Sequence, residues 1–354
     1  MELFSVIKAY VLQLSTQDVG SLVSAWANVI MAAGVLLAAK SLRVQKNVHI
    51  IDTHHRFQAE IRRLQEMMPH DVNGSRIVFD PAERRVVRLY WYAVVDEWFT
   101  CKVNNRSPEI HQLWTNFAWG AKSAVEHLPL FASELVTFKN MNPYLLGTHQ
   151  RFFSELADFC RTMRSPDQRT SDRPRSCIFL FGAPCSGKSS VLLRLETEGW
   201  DCLKIDDIIR HQALPQAKGE QPLSRESFVK HADAVCLAVY GSVARSKSAH
   251  TVVELGCLFP SQGSQHLEDM LALLGVRVQS FYLDISLPCA AQRAIARNQQ
   301  IELGQSDAVP IHEPGDMSAF FTALHANLPH NASRLAAEHL GAEELARRIV
   351  AAVG

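Results

Sequence analysis

The stretch that most constrains the fold is CIFLFGAPCSGKSSVLLRL, residues 177–195, in which an apolar run is interrupted by two glycines and a lysine. Residues 182–189, GAPCSGKS, fit the spacing G-x-x-x-x-G-K-[ST]. The run before them has strand length, and the leucines after them recur at helical spacing. Because both flanks have the required character, the pattern predicts a phosphate-binding loop and not a chance glycine-rich turn.

The residues of this loop have individual predicted roles. The glycines let the backbone curl so that N–H groups point at an anion, and the next helix directs its positive end at the same point. Lys188 is expected to reach the β- and γ-phosphates of ATP, and the Ser189 hydroxyl to bind Mg²⁺. Cys185 is either a small loop residue or an oxidation-sensitive thiol. The predicted nucleotide contacts are Gly182, Ala183, Pro184, Cys185, Ser186, Gly187, Lys188, Ser189 and Ser190.

Charge and cysteine content exclude other classes of protein. Lys and Arg total 36, as do Asp and Glu, so no positive excess indicates a nucleic-acid partner. The eight cysteines are scattered without a C-x-x-C pair, which indicates reduced thiols and neither a disulfide framework nor a zinc site. A chain of 354 residues is long enough for two or three structural units.

Residues 19–39, VGSLVSAWANVIMAAGVLLAA, predict a transmembrane helix. They contain no charged residue, and a helix of this length crosses a hydrocarbon core of ~30 Å. Basic residues follow from Lys40 onward, whereas Lys8 alone precedes, so the positive-inside rule predicts a single-pass inner-membrane protein whose C-terminal part is cytoplasmic. Residues 1–18 are then an extracytoplasmic or interfacial segment. The alternatives are a cleaved signal peptide, which the lack of a basic start disfavours, and a buried helix of a soluble core.

Residues 40–163 carry helical patterns throughout. Pro81 and Pro108 are predicted in first turns, with Ser107 as a cap. Four tryptophans, at positions 91, 98, 114 and 119, form an aromatic stripe typical of a helix–helix core, with a ligand or partner groove as the alternative. Residues 164–176 are polar, contain two prolines and no apolar side chain, and are expected to be a linker.

The helical region resembles small cytoplasmic regions that follow single membrane spans in many bacterial proteins of unknown function. The matching parts are RLYWYAVVDEWF and IHQLWTNFAWG. The resemblance covers about the first 150 residues and implies a scaffolding or sensing role.

Strand and helix patterns alternate over residues 177–354. After the loop helix, the strand patterns are WDCLKID, HTVVEL, VRVQSFYLD and SRLAAEHL, with helical patterns between and after them. This alternation predicts an α/β fold of the P-loop NTPase type, a parallel sheet with helices on both faces. Substrates of such a sheet bind at the carboxyl ends of the strands.

This domain resembles the small-molecule kinases of the phosphate-loop group: shikimate and gluconate kinases, chloramphenicol phosphotransferase and zeta-toxin-type kinases. The matching stretches are GAPCSGKSS, IDDIIR and YLDISLPCAAQRAIARNQ, over about half the chain. No LSGGQ or NKxD motif occurs, and no apolar strand ends in Asp-Glu as in a motor or transporter ATPase. The resemblance implies transfer of the γ-phosphoryl group of ATP to a hydroxyl of a small molecule.

The resemblance also implies roles beyond the loop. An aspartate after the second strand would act as the base, with Asp207 the first choice and Asp206 the second; Asp206 is also a predicted metal ligand. The alternative for either acid is helix capping. Arg293 and Arg297 would be lid arginines that stabilise the transferring phosphoryl group, or else solvated helix residues.

The acceptor molecule is not assigned by these patterns. Arg210 is a candidate for an acceptor phosphate or carboxylate, and Glu254 either holds Mg²⁺ through water or simply ends a strand. A second class of function is a nucleotide-binding switch that signals through the helical region to a membrane partner. A kinase needs the acid after the second strand, whereas a switch needs only Lys188 and Ser189. The predicted partners are ATP, a small-molecule acceptor and membrane lipid, with a membrane protein or a second copy of the chain as further candidates.

Overall fold

The computed structural model describes residues 16–68, 76–103, 108–141, 146–162, 175–210, 225–302 and 314–353. Nearly all of the predicted N-terminal segment, the Ser107 cap and most of the predicted linker lie outside these residues. The chain divides into two units, Met1–Glu60 and Ile61–Gly354.

The first helix, α1, spans Thr16–Glu66. No proline interrupts it, so the helix continues beyond residue 39 and through the basic residues that follow. Apolar side chains from Trp26 to Val48 are exposed along it. Among the described residues, α1 is the one helix long and apolar enough to cross a membrane, on length and composition alone.

Helix α2, Pro81–Trp98, has a start that follows directly from its sequence. The Asp80 carboxylate accepts hydrogen bonds from the backbone N–H of Ala82 and Glu83, at 2.8 and 2.9 Å. The Glu83 carboxylate in turn accepts from the Asp80 N–H at 2.8 Å, which completes a capping box. Pro81 lies in the first turn as predicted, and a π-helical segment, Phe99–Val103, follows the helix.

Three further helices complete the helical region: α3 Pro108–His127, α4 Pro129–Met141 and α5 Leu146–Thr162. Trp91, Trp98 and Trp114 are buried, as core packing predicts, whereas Trp119 is 43% exposed. The Trp91 indole N–H donates to the Phe131 carbonyl at 2.9 Å, and its ring lies edge-on to that of Phe131. A buried indole with its N–H satisfied joins α2 to α4.

The five strands form one parallel sheet in the order β2-β3-β1-β4-β5. Their bounds are β1 Ser176–Gly182, β2 Asp201–Lys204, β3 His250–Glu254, β4 Arg277–Asp284 and β5 Ser333–Ala336. All four strand pairs are parallel, and β1 is buried along its whole length because it lies between β3 and β4. The predicted α/β fold is confirmed, although β2 and β5 are shorter than their sequence patterns.

Helices accompany every strand of the sheet. They are α6 Lys188–Thr197, α7 Ile205–Ile208, α8 Arg225–Arg245, α9 Ser261–Leu273, α10 Leu287–Glu302, α11 Pro314–Asn327 and α12 Ala342–Val353. Helices α6 and α12 share an apolar cluster with β1, β3 and β4 that includes Leu195, Ile349 and Ile178. The sequence patterns did not predict α11, which follows the mixed polar and apolar stretch of residues 303–313.

The helical region packs directly against α8 and α9. The Tyr240 hydroxyl on α8 donates to the Val125 carbonyl on α3 at 2.6 Å. Ser133 on α4 hydrogen bonds to Nε2 of His266 on α9 at 2.9 Å. The helices of residues 81–162 and the sheet therefore belong to one packed unit.

Replacing Trp91 by alanine is expected to lower the free energy of unfolding by about 3–5 kcal/mol, because it empties a buried site and removes the hydrogen bond to the Phe131 carbonyl. Urea unfolding followed by far-UV circular dichroism measures the change. Trp119→Ala is the matched control, for which we expect a smaller loss of about 1–2 kcal/mol, because its ring is 43% exposed and packs edge-on to Phe159. Equal losses in the two variants would contradict the packing described above.

Candidate functional site

The predicted phosphate loop lies between the end of β1 and the start of α6. Two of its residues have positive φ, Cys185 at 61° and Gly187 at 97°. Left-handed residues within a tight turn direct neighbouring N–H groups toward a common point, which forms a concave anion site. Gly187 also precedes the first residue of α6, so the positive end of that helix adds to the site.

Gly182 is required by the space around it. A Cβ at this position would lie 2.5 Å from Ser186 Oγ and 3.3 Å from Leu283 Cβ. The loop therefore folds back onto the end of β1 at a distance that only glycine permits. The Ser186 hydroxyl is buried here and has no hydrogen-bond partner among the described residues.

Lys188 is held in the site by two hydrogen bonds and one nearby carboxylate. Its ammonium donates to the carbonyls of Gly182 and Ala183, at 2.9 and 3.0 Å, and its side chain is buried. It also lies 3.7 Å from a carboxylate oxygen of Glu254. The strand register explains this third contact, because Glu254 ends β3 beside Leu180 of the central strand.

Glu254 is the site residue that sequence reasoning left undecided. A single glutamate after the apolar run of β3 gave no reason to prefer a metal site over an ordinary strand end. The decisive information is the strand order, which brings β3 next to β1 and its carboxylate next to Lys188. The residue pattern of a single strand does not indicate which other strand it pairs with.

Asp206 and Asp207 occupy the first turn of α7, directly after β2. The residue that caps this helix is Lys204, with no side-chain capping bond, so neither aspartate fills the capping role that was the alternative. Asp206 is exposed at its surface, but desolvation of its carboxyl by the surrounding groups chiefly raises its pKa, and the negative charge of Glu254 raises it further. Lys188 and Arg210 act in the opposite direction, which places Asp206 within electrostatic reach of the loop lysine.

Arg293 lies against the phosphate loop. Its guanidinium donates to the carbonyl of Cys185 at 3.5 Å and to that of Ala337 at 3.3 Å. These contacts distinguish it from a solvated helix arginine. Arg297 follows one turn later on α10 and is partly buried.

Helix α11, which the sequence patterns missed, helps to hold α10 near the loop. Met317 packs in one cluster with Ile285, Ala290 and Ala294, and Cys185 is packed against that cluster. The Asn327 side chain, also on α11, donates to the Cys257 carbonyl at 3.1 Å. The signs of this helix in the sequence were the apolar residues of FFTALH and Pro314 at its first position.

The groups at this edge of the sheet fit a phosphate ester and a divalent cation. The inward-facing amides, the Lys188 ammonium and the Arg293 guanidinium are phosphate donors. The Ser189 hydroxyl is exposed in the first turn of α6, and the carboxylates of Asp206 and Glu254 share the site. Hydroxyl and carboxylate oxygens are the ligands that Mg²⁺ prefers.

The chain has only low similarity to known protein structures. No family model matches the chain. No curated protein matches it either. Among solved structures, a gluconokinase from Sinorhizobium meliloti shares 15% identity over 51% of this chain and 93% of its own, with a TM-score of 0.35. A sugar kinase from Janibacter sp. shares 14% identity over 50% of this chain and 94% of its own, with a TM-score of 0.35. Similarity this low carries no information about the substrate of this chain.

Asp206→Asn is expected to stabilise the protein at neutral pH. The fold raises the pKa of this carboxyl above its unfolded value of about 3.9, so its ionised form is disfavoured in the folded state. The gain in unfolding free energy is complete at pH values above the folded-state pKa of Asp206, and it disappears as the pH falls below the unfolded-state pKa. Because the side chain is exposed and solvent screens it, the gain is at most about 1 kcal/mol.

Thermal unfolding between about pH 4 and pH 8 measures this effect. Asp207→Asn is the control, since it removes the neighbouring carboxylate of the same helical turn. A lower melting temperature for Asp206→Asn at pH 7 would contradict the electrostatic environment described here.

Proposed function

We propose that residues 177–354 form a kinase that transfers the γ-phosphoryl group of ATP to a hydroxyl of a small molecule. The observation that carries the proposal is the convergence of Lys188, Glu254 and Asp206 at the carboxyl ends of three adjacent strands. A lysine anchored to a phosphate loop, beside two carboxylates, is the arrangement that phosphoryl transfer requires.

Nucleotide binding would use the loop first. The amides of the loop and the start of α6 would contact the phosphates, and Lys188 would exchange its bonds to the Gly182 and Ala183 carbonyls for bonds to the β- and γ-phosphates. The lysine is already held at the loop, so this exchange needs only a small movement of its ammonium.

The metal-binding residues in this proposal are Ser189, Asp206 and Glu254. The Ser189 hydroxyl would be a direct ligand, and the two carboxylates would bind directly or through water. Bound Mg²⁺ would supply positive charge at the β- and γ-phosphate oxygens. Glu254 and Lys188, whose charged groups lie 3.7 Å apart in this structure, would then have separate roles: Glu254 would bind the metal and Lys188 would bind the phosphates.

The acceptor would bind beside α7. Asp207 is the proposed base, because its exposed carboxylate lies in the first turn after β2, where it can accept a proton from an incoming hydroxyl. Asp206, whose pKa is raised, is the second choice. Arg293 would leave the Cys185 carbonyl to stabilise charge on the transferring group, with Arg297 one turn behind it.

We also propose that α1 anchors the protein in the inner membrane with the kinase domain in the cytoplasm. The support is the uncharged segment of residues 19–39, the exposure of its apolar side chains from Trp26 onward, and the basic residues after it.

Full-length protein is expected to sediment with membranes and to stay there in alkaline carbonate, because extraction would expose the apolar surface of α1 to water. Ala33→Arg together with Val35→Arg places two charges in the middle of the segment and is expected to move the protein to the soluble fraction. Recovery of the unaltered protein from the supernatant would contradict the anchor.

A nucleotide-binding switch is the second candidate function. The observation that favours it is the direct packing of the helical region on α8 and α9, through the Tyr240–Val125 and Ser133–His266 hydrogen bonds. A change at the nucleotide site could reach the helical region through these contacts.

The two functions differ in their dependence on Asp207. With γ-labelled ATP, Mg²⁺ and a cellular metabolite extract, full-length protein is expected to yield a labelled metabolite. Lys188→Ala and Asp207→Asn are each expected to reduce the rate about 10²–10³-fold, because one removes phosphate binding and the other the base. Lys230→Ala, at an exposed position on α8, is the matched control with unchanged rate.

Retained nucleotide binding without any labelled product, in wild type and Asp207→Asn alike, would favour the switch. Loss of ATP binding in Lys188→Ala is expected under both functions.

A further inference from the structure

The part of α1 beyond its apolar segment has a regular charge pattern. Charged or imidazole side chains occupy every third position between residues 40 and 52: Lys40, Arg43, Lys46, His49 and Asp52. In a repeat of seven residues, these side chains fill five different positions. The two positions left over recur at alternating intervals of three and four residues, which is the spacing of the contact positions in a coiled coil.

The residues at these two positions, called the α1 seam here, are Ser41, Val44, Val48 and Ile51. The three apolar members are between 44% and 60% exposed. Among the described residues, none forms a hydrogen bond, ion pair or ring contact with a side chain of the seam. The four members fall within about 80° of one another around the helix axis, so they form one narrow stripe on an open side of α1.

The same two heptad positions continue into the apolar segment. They are occupied there by Ala27, Ile30, Gly34 and Leu37. A Cβ at Gly34 would meet no atom within 4 Å, so this side of the helix is open as well. Small residues between larger ones let two helices approach closely inside a membrane. From Ala27 to Ile51 the stripe is uncharged over about 36 Å of helix.

Membrane lipid would cover only part of this stripe. In the anchor proposed above, the basic residues from Lys40 onward mark the end of the apolar segment. Val48 and Ile51 lie about 12 and 16 Å past Lys40 along the axis, beyond the hydrocarbon core. Apolar side chains that are exposed to water in one line indicate a surface that meets another helix. At this level of α1 the fitting occupant is therefore protein and not lipid.

The absence of charge from the α1 seam indicates that a second copy of α1 is the partner. Two copies anchored in one membrane point in the same direction, so each seam residue meets its own counterpart. A charged residue in the seam would then face an identical charge, whereas a different partner helix could supply an opposite one. All five charged or imidazole residues lie outside the seam, as parallel contact between identical helices requires.

We propose that two copies of this protein associate through a parallel coiled coil of α1, with the α1 seam at the contact. Val44, Val48 and Ile51 of one copy pack against the same residues of the other, and the charged residues stay in water at the outer positions. The direction of the two copies rests on the proposed membrane anchor. The contact itself does not depend on phosphoryl transfer.

Disulfide cross-linking of the full-length protein in its membranes tests the contact. Val44→Cys, Val48→Cys and Ile51→Cys are oxidised separately, with wild type giving the background from the native cysteines. Each variant is expected to give at least about fivefold more covalent dimer than wild type, because like seam positions approach within the ~7 Å that a disulfide spans. Leu42→Cys and Lys46→Cys are the matched controls, expected at background, since both residues are exposed on other faces of the same turns.

The three seam variants also test the direction of the copies. Residues 44 and 51 lie about 10 Å apart along the axis, so in an antiparallel contact at most one of the three positions would meet its own counterpart. Cross-linking at all three positions therefore supports a parallel contact. Cross-linking at a single position overturns it.

Sedimentation equilibrium in density-matched mild detergent measures the strength of association. Wild-type full-length protein is expected to be in monomer–dimer equilibrium. Val48→Lys is expected to raise the dissociation constant about tenfold or more, because it brings two ammonium groups together in the seam. Leu42→Lys is the matched control, with no change expected, since it adds the same charge at an exposed apolar position off the seam. Equal melting temperatures of the two variants show that weaker association does not come from unfolding.

A monomeric wild type without seam cross-links overturns the proposal. A dimer that Val48→Lys leaves intact, and that cross-links no more at the seam than with Leu42→Cys, also overturns it and indicates assembly elsewhere. Failure of the anchor is a separate result, because it leaves wild type in the supernatant after alkaline carbonate. Cross-links at all three seam positions in that soluble protein would still support the contact.

Discussion

The contact between Lys188 and the end of the central strand is the interaction on which the site depends. A buried ammonium without partners would be costly, and here it is satisfied by the carbonyls of Gly182 and Ala183 and by the nearby Glu254 carboxylate. The carbonyls come from the strand and loop that must stay in place, and the carboxylate comes from the neighbouring strand. One side chain thus connects the loop, β1 and β3 before any ligand binds.

The local features of the site could be predicted from the sequence because they depend on neighbouring residues. The strand, loop and helix around Gly187, the first-turn position of Pro81 and the alternation of strands and helices are all short-range patterns. The place of Glu254 beside Lys188 depends on strand order, and the contact of Arg293 with the Cys185 carbonyl depends on the packing of α10. Contacts between residues this far apart in the sequence do not appear in the hydrophobic periodicity from which strands and helices are predicted.

The helical region shows the same division between local and long-range information. Its tryptophans predicted a core, and three of them are buried in it, while Trp119 is 43% exposed, with its ring edge-on to that of Phe159. Packing of this region onto α8 and α9 includes polar contacts, such as Ser133 with His266, that the sequence patterns did not predict. Such buried polar contacts fix one arrangement of the helices, since any other leaves these groups without partners.

The position of β1 in the sheet has a consequence for the order of folding. Both of its neighbours, β3 and β4, come later in the chain, with the last paired residue at Leu283. During synthesis on the ribosome, the phosphate loop therefore leaves the exit tunnel well before the strands that hold it. The helices of residues 81–162 leave the tunnel before the loop, whereas the loop must wait for pairing over about a hundred residues. The binding site thus becomes ordered only after β4 has been synthesised.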